Sequence, residues 1–239
     1  MSKHVAVRSG VVAASACAVV LALGPLLISA NSLAQTVTVI PANGTVAGMT
    51  YGEWSAAWWQ WDLSIPVPAN PSFDTTGNHC HVGQSGPVFF LAGSATGAPM
   101  TRDCSVSADK VLLFPLINVE CSTLEPPPFF GSNEAELRTC AQVFMNGAGL
   151  STLRATIDGN PIVPNPGLFR FQSPLYDFRV PGDNILGVQG GSSGSSVSDG
   201  YWLMIRLAEG NHVLHFEAAF TSGDGAGFSQ DVTYNLTVR

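Results

Sequence analysis

From Tyr201 to Val238 apolar and polar side chains alternate with a period of two through three successive segments, a pattern that confines this part of the chain to β-strands packed by one face. Tyr201, Leu203, Ile205 and Leu207 point one way in the first segment, and Leu214, Phe216, Ala218 and Phe220 in the second. In the third, Phe228, Val232, Tyr234, Leu236 and Val238 oppose Asp231, Thr233, Asn235 and Thr237. Strands with one dry and one wet face are the strands of a sandwich. Leu153 to Val163 adds a hairpin turning at Asp158-Gly159. Gly190 to Ser196 (GGSSGSS) reads as a flexible loop, and no internal repeat is seen.

The first residues belong to export rather than to the fold. Lys3, His4 and Arg8 precede an apolar stretch from Val11 to Ala30, and Ser32-Leu33-Ala34 places small residues where a signal peptidase cuts. Cleavage is expected after Ala34, with Ala30 as the competing point and an uncleaved signal anchor as the structural alternative. Residues 1–34 are therefore a signal peptide, residues 35–239 a single domain divisible into 35–149 and 150–239, and the location secreted or periplasmic. Of five cysteines, Cys17 leaves with the leader. An even remainder in an exported chain reads as two disulfides, and of the three possible pairings Cys80–Cys104 with Cys121–Cys140 is favoured because each closes a loop of modest length between adjacent elements. A four-cysteine zinc site is the rival, without any C-x-x-C pair to support it.

The sequence holds 17 acidic and 10 basic side chains, and charged residues are only 11% of it. Its few basic residues are scattered, so the chain lacks the stripe that nucleic acid or an anionic membrane surface requires. No second apolar segment is long enough to span a bilayer once the leader is removed.

Towards the middle, Gln35 to Val46 reads as a first strand. Thr50 and Glu53 form a capping box that opens a helix over Tyr51–Leu63, with Trp54, Ala57, Trp58 and Trp61 on its core face. Pro66 and Pro68 end it. Pro87–Ala92 and Val111–Val119 are near-continuous apolar runs, the mark of central strands covered on both faces, and Pro115 implies a bulge in the second. Glu125–Gly131 (EPPPFFG) is an extended loop that displays two aromatics. A second helix is predicted from about Glu134 to Met145, capped by Asn133 and Glu136, with Leu137, Cys140 and Phe144 as its apolar stripe and Gly147 as its stop. The fold class is mostly β: a jelly-roll or immunoglobulin-like β-sandwich with two accessory helices.

Five blocks carry a resemblance: GEWSAAWWQW (Gly52 to Trp61), SGPVFFLAG (Ser85 to Gly93), LLFPLINVEC (Leu112 to Cys121), SDGYWLMI (Ser198 to Ile205) and FSQDVTYNLTV (Phe228 to Val238). Over most of the mature chain these resemble a family of secreted bacterial proteins of unknown function. That resemblance implies no activity. The tail from Leu207 to Val238 is loosely similar to the last strands of bacterial immunoglobulin-like domains, which implies fold only.

Candidate sites are few. His79-Cys80-His81, if extended, puts two imidazoles on one face for a divalent metal, with Asp74, Glu120 or His215 as a third ligand. Two exposed histidines beside a cystine are the plainer reading. His215 and Glu217 share the wet face of their strand and offer a base and its orienter. No G-x-S-x-G elbow accompanies them. Trp202, Phe129 and Phe130 are the expected ligand-binding aromatics, because one of each adjacent aromatic pair must face away from a core that holds the other. The expected function is a non-catalytic binding or surface-associated protein with a glycan or other polymer ligand. A secreted hydrolase or lyase, metal-assisted through His79 and His81, is the alternative, and a structural envelope component the third. No cofactor beyond that metal and no nucleic-acid partner is expected.

Overall fold

The computed structural model describes residues 37–163 and 165–239; the leader, its cleavage point and Cys17 lie outside the described residues. Thirteen elements follow one another: β1 (Val37–Val39), α1 (Tyr51–Ser64), β2 (Val88–Phe90), β3 (Met100–Val106), β4 (Val111–Ser122), α2 (Glu134–Gly147), β5 (Leu150–Ile157), β6 (Asn160–Pro161), β7 (Arg170–Gln172), β8 (Tyr176–Arg179), β9 (Ser193–Leu207), β10 (Gly210–Phe220) and β11 (Ser229–Val238). They build two sheets. The first runs β1-β9-β4-β2, with β7 and β8 also paired to β9; the second runs β3-β11-β10-β5-β6. Because β4 pairs with β9 and β3 with β11, residues 37–149 and 150–239 interleave in both sheets.

The sheets face each other across an apolar core in which Phe114 of β4 stacks on Phe216 of β10 at 5.2 Å. A β-sandwich with two helices is the architecture. The dry faces are those the alternation names: Leu214, Phe216, Val232, Tyr234 and Leu236 are all buried. Register along the β4–β9 pair shifts between Pro115 and Ile117, the bulge that a proline without a ladder N–H imposes. The hairpin turns at Asp158 (φ 52°) and Gly159 (φ 78°), two left-handed residues in a row as a tight β-turn of the primed kind requires.

α1 lies on the outer face of the first sheet. Thr50 Oγ1 accepts from the Glu53 amide while Glu53 Oε2 accepts from the Thr50 amide, so both ends of the capping box are made. Trp54, Trp58 and Trp61 are buried, and each indole N–H donates to a carbonyl: Val46, Leu91 and Val82 respectively. α2 closes one end of the sandwich with Leu137, Ala141 and Met145, a stripe rotated from the expected one, so Cys140 and Phe144 are half-buried at its border. Its cap also differs: Asn133 accepts from the Glu136 amide, but the Glu136 carboxylate reaches Ser132.

Two sequence expectations need correction. Val88–Phe90 is buried throughout yet pairs with β4 alone, at the margin of its sheet rather than its centre. The segment GGSSGSS is not a loop: from Ser193 it is the start of β9, the longest strand described, held by β8 on one side and β4 on the other.

Disulfides join Cys80 to Cys104 and Cys121 to Cys140. The first staples the loop before β2 to β3, and the second staples α2 to the end of β4. Replacing both cysteines of either bridge with serine is expected to cost about 2–4 kcal/mol, read as a lowered urea midpoint. An unchanged midpoint in both double variants would contradict it.

Candidate functional site

Where α2 meets the ends of β4, β10 and β11, a groove of about 440 Å³ opens to solvent. One wall is a ladder of phenylalanines: Phe129 to Phe144 at 5.4 Å, Phe144 to Phe220 at 5.6 Å and Phe220 to Phe228 at 6.3 Å. Ile185, Leu186 and Trp59, the tryptophan of α1 that falls off the buried stripe, line it as well. Aromatic and aliphatic side chains thus share the lining with the polar Asn118, Glu120 and Glu125.

The floor follows from strand register. On β4, Asn118, Glu120 and Ser122 alternate on the face turned towards α1; their partners on β9 are Gly200, Ser198 and Ser196. Small partners are needed there: a side chain at position 200 would collide with Asn118. Tyr176 of β8 pairs with Ser196 from the other side. Glu120 accepts a short hydrogen bond from Ser196 Oγ, and Glu125, arriving from the loop after β4, accepts from Ser122 Oγ at 2.9 Å. Ser122 and Ser196 stand opposite each other, so the two carboxyls they bind come together on the same patch of floor. Burial, then the facing Glu125 carboxyl, push Glu120 well above the usual carboxylate range; burial likewise pushes Glu125 up. Around them, Trp59 Nε1, Asn118 Nδ2, Ser198 Oγ and the Tyr176 hydroxyl are buried without a hydrogen-bond partner. Native interiors leave few such atoms, so a concentration of them marks a place where something else supplies the partners.

A second cleft of about 270 Å³ adjoins the groove and shares Trp59, Asn118, Ile185 and Phe228 with it. Asp62 of α1 lines it, 1% exposed, accepting from Ser72 Oγ at 2.7 Å. Burial is the main cause that raises its pKa from 3.8 to about 6; hydrogen bonds from Ser72 and Asn70 and the charge of Arg102 pull the other way. The folded state therefore keeps a proton that the unfolded chain has lost between these two values. Stability should fall as pH climbs from about 4 to about 6, by about 3 kcal/mol from this one group, and level off above. The raised Glu120 and Glu125 act in the same direction. Asp62→Asn should flatten part of that decline and stabilise the protein at neutral pH. Urea midpoints of the two proteins across this range check it, and parallel profiles would contradict it.

Of the aromatics expected to bind ligand, only Phe129 reaches the groove. Trp202 is fully buried: α1 covers the outer face of β9, and Trp58 meets Trp202 edge-on at 5.4 Å. Phe130 is 45% exposed and borders a shallow depression over Ala135, Thr139 and Val143 of α2, away from the groove. His79 and His81 do not share a face, because residues 78–83 form consecutive turns rather than an extended strand: the amides of Cys80 and Val82 donate back to Gly77 and His79. His81 stands edge-on to Phe89, and its nearest sulfurs, those of Cys80 and Cys104, are joined to each other and hold no thiolate. Both Asp74 oxygens are taken by the amides of Thr76 and His79 and the Thr76 hydroxyl. His215 and Glu217 share a face of β10, but each pairs across the sheet, His215 with Asp231 at 3.0 Å and Glu217 with Arg154 at 2.5 Å. They do not orient each other.

Sequence reasoning missed Trp59, Asn118, Glu125 and the phenylalanine ladder beyond Phe129, and weighed Glu120 only as a distant third ligand for histidine. Two signals were present: Trp59 lies off the helical stripe, and Asn118, Glu120 and Ser122 interrupt an otherwise apolar strand at every second position.

Fold and groove together define a disulfide-bonded β-sandwich with an aromatic-walled cleft over buried carboxyls. No protein-family description and no curated protein matches the chain. Among solved structures, the cysteine protease inhibitor EhICP2 from Entamoeba histolytica is similar at 10% identity, over 58% of this chain and 86% of that one, with a TM-score of 0.20. Among the described residues, no helix is long and apolar enough to cross a membrane.

Proposed function

We propose that this is an exported, non-catalytic binding protein, secreted or periplasmic, that holds a segment of glycan or a similar polymer in the groove between Trp59 and the phenylalanine ladder. The observation that carries the reading is the pairing of aromatic rings with an unsatisfied donor: Trp59 Nε1 lies unpartnered in a groove that Phe129 and Phe228 also line. Sugar rings present apolar faces to aromatics and hydroxyls at their edges, so they satisfy both at once. The low charge of the chain supports the same reading, because little electrostatic capture is on offer.

Pull-down on insoluble chitin, cellulose and peptidoglycan tests it. Binding should persist at high salt, and Trp59→Ala or Phe129→Ala should weaken it by roughly ten-fold, the loss of one stacking partner. Failure to bind any of the three, or binding that salt abolishes and Trp59→Ala leaves intact, would overturn the reading.

A further inference from the structure

We propose that the floor beneath the groove is a divalent-cation site, suited to Ca²⁺, formed by the carboxylates of Glu120 and Glu125 with the hydroxyls of Ser198 and Tyr176 and the side-chain amide of Asn118. The site lies between β4, β9, β8 and the loop that follows β4. Glu120 and Glu125 both line it, held by the facing hydroxyls of Ser196 and Ser122, and Glu120 is 5% exposed. Among the described residues no lysine, arginine or histidine hydrogen-bonds or ion-pairs with either of them. The further charge that acts on Glu120 is that of Asp62, also acidic. Something positive has to balance such a pair.

A shared proton would satisfy the two acids and nothing else. It leaves the hydroxyls of Ser198 and Tyr176, both buried residues, without partners in the interior. Register aims both at the acids: Ser198 stands directly opposite Glu120, and Tyr176 opposite Ser196, whose hydroxyl reaches Glu120. Asn118, two residues before Glu120 and on the same face, has an unpartnered amide on the groove side. A cation accounts for the carboxyls and the orphaned oxygens together. Every donor is oxygen once Asn118 turns its carbonyl inward, and a hard, all-oxygen set without imidazole or thiolate selects Ca²⁺ or Mg²⁺ over zinc or copper. Donors drawn from three strands and a loop suit the looser shell of Ca²⁺. Loading the site would fix the loop that carries Glu125 and Phe129, one wall of the groove. The inference does not depend on what the groove binds.

Calcium titration of chelator-stripped protein, followed by calorimetry and by thermal unfolding without any glycan, tests it. One Ca²⁺ per chain is expected, with Kd in the range of about 10⁻⁴–10⁻³ M usual for extracellular sites, and with a rise in the unfolding midpoint that chelator reverses. Glu120→Gln should abolish the rise, and Glu125→Gln serves if the first variant does not fold. Trp59→Ala should keep the full calcium response whatever happens to glycan binding, so the two readings fail separately. No midpoint rise in the wild type up to about 10 mM Ca²⁺, or an undiminished rise in both glutamine variants, would overturn the proposal.

Discussion

Replacing Trp58 with alanine is expected to lower stability by about 3–5 kcal/mol, read from the urea midpoint at constant slope. Trp58 is 3% exposed and sits at the centre of an indole cluster, edge-on to Trp59 at 5.2 Å, Trp61 at 5.6 Å and Trp202 at 5.4 Å. Two costs add. The truncation opens a cavity between α1 and the first sheet that three rigid rings cannot collapse to fill, and it removes the donor that satisfies the Leu91 carbonyl at 3.1 Å. A third effect is functional: Trp59 leans on Trp58, so the groove should lose its wall before the protein loses its fold. A midpoint within about 0.5 kcal/mol of wild type would show that α1 does not hold the sheet in the way its packing indicates.

The same cluster shows where the sequence was legible and where it was not. Local signals carried through: the Thr50–Glu53 box, the tryptophan stripe and the Asp158-Gly159 turn each depend on residues a few positions apart. Trp202 failed because its exposure depends on what covers β9. A strand alternating aromatic and aliphatic residues on both faces is dry on both faces, and the covering helix lies some 140 positions earlier in the chain. Ser193–Ser198 failed for the opposite reason. Serine and glycine are poor strand formers, but here they must be small to pack beneath Tyr176 and beside Glu120 and Asn118. His79 and His81 failed because glycines at 77 (φ 93°) and 83 (φ 67°) bend the segment into turns that periodicity does not register. The acid pair was half legible. Glu120 breaks an apolar run and invites suspicion, whereas Glu125 is one acidic residue in a proline-rich loop until the fold brings it to the same floor.

Arg102→Met should cost about 3–5 kcal/mol, because the guanidinium is the buried keystone of the loops that shape the smaller cleft. Arg102 occupies an inward position of β3 and is 1% exposed. Its Nε donates to the Asp74 carbonyl at 2.6 Å, Nη1 to the Ala92 carbonyl at 2.7 Å and to the Tyr234 hydroxyl at 2.8 Å, and Nη2 to the Gly93 carbonyl at 2.9 Å. Methionine fills similar space without strain but leaves the Asp74 and Gly93 carbonyls unsatisfied in the interior. Those carbonyls belong to the segments that place Ser72, Phe73 and Ser94 around the cleft, so its shape should loosen as stability falls. The charge matters separately from the fork. Arg102 is the cation that draws Asp62 down against its burial, and without it the Asp62 pKa should rise further above about 6. The decline in stability should then extend to higher pH, its lower end still set by the unfolded chain. Arg102→Lys distinguishes the two roles: a point charge retains the pull on Asp62 and loses most of the three-carbonyl clamp, so the variant should be destabilised with its pH profile nearly unshifted. Urea midpoints at several pH values for wild type, Arg102→Met and Arg102→Lys read both effects. If Arg102→Met unfolds at the wild-type midpoint, the clamp contributes nothing. If both variants shift the profile equally, the link between Arg102 and Asp62 is not electrostatic.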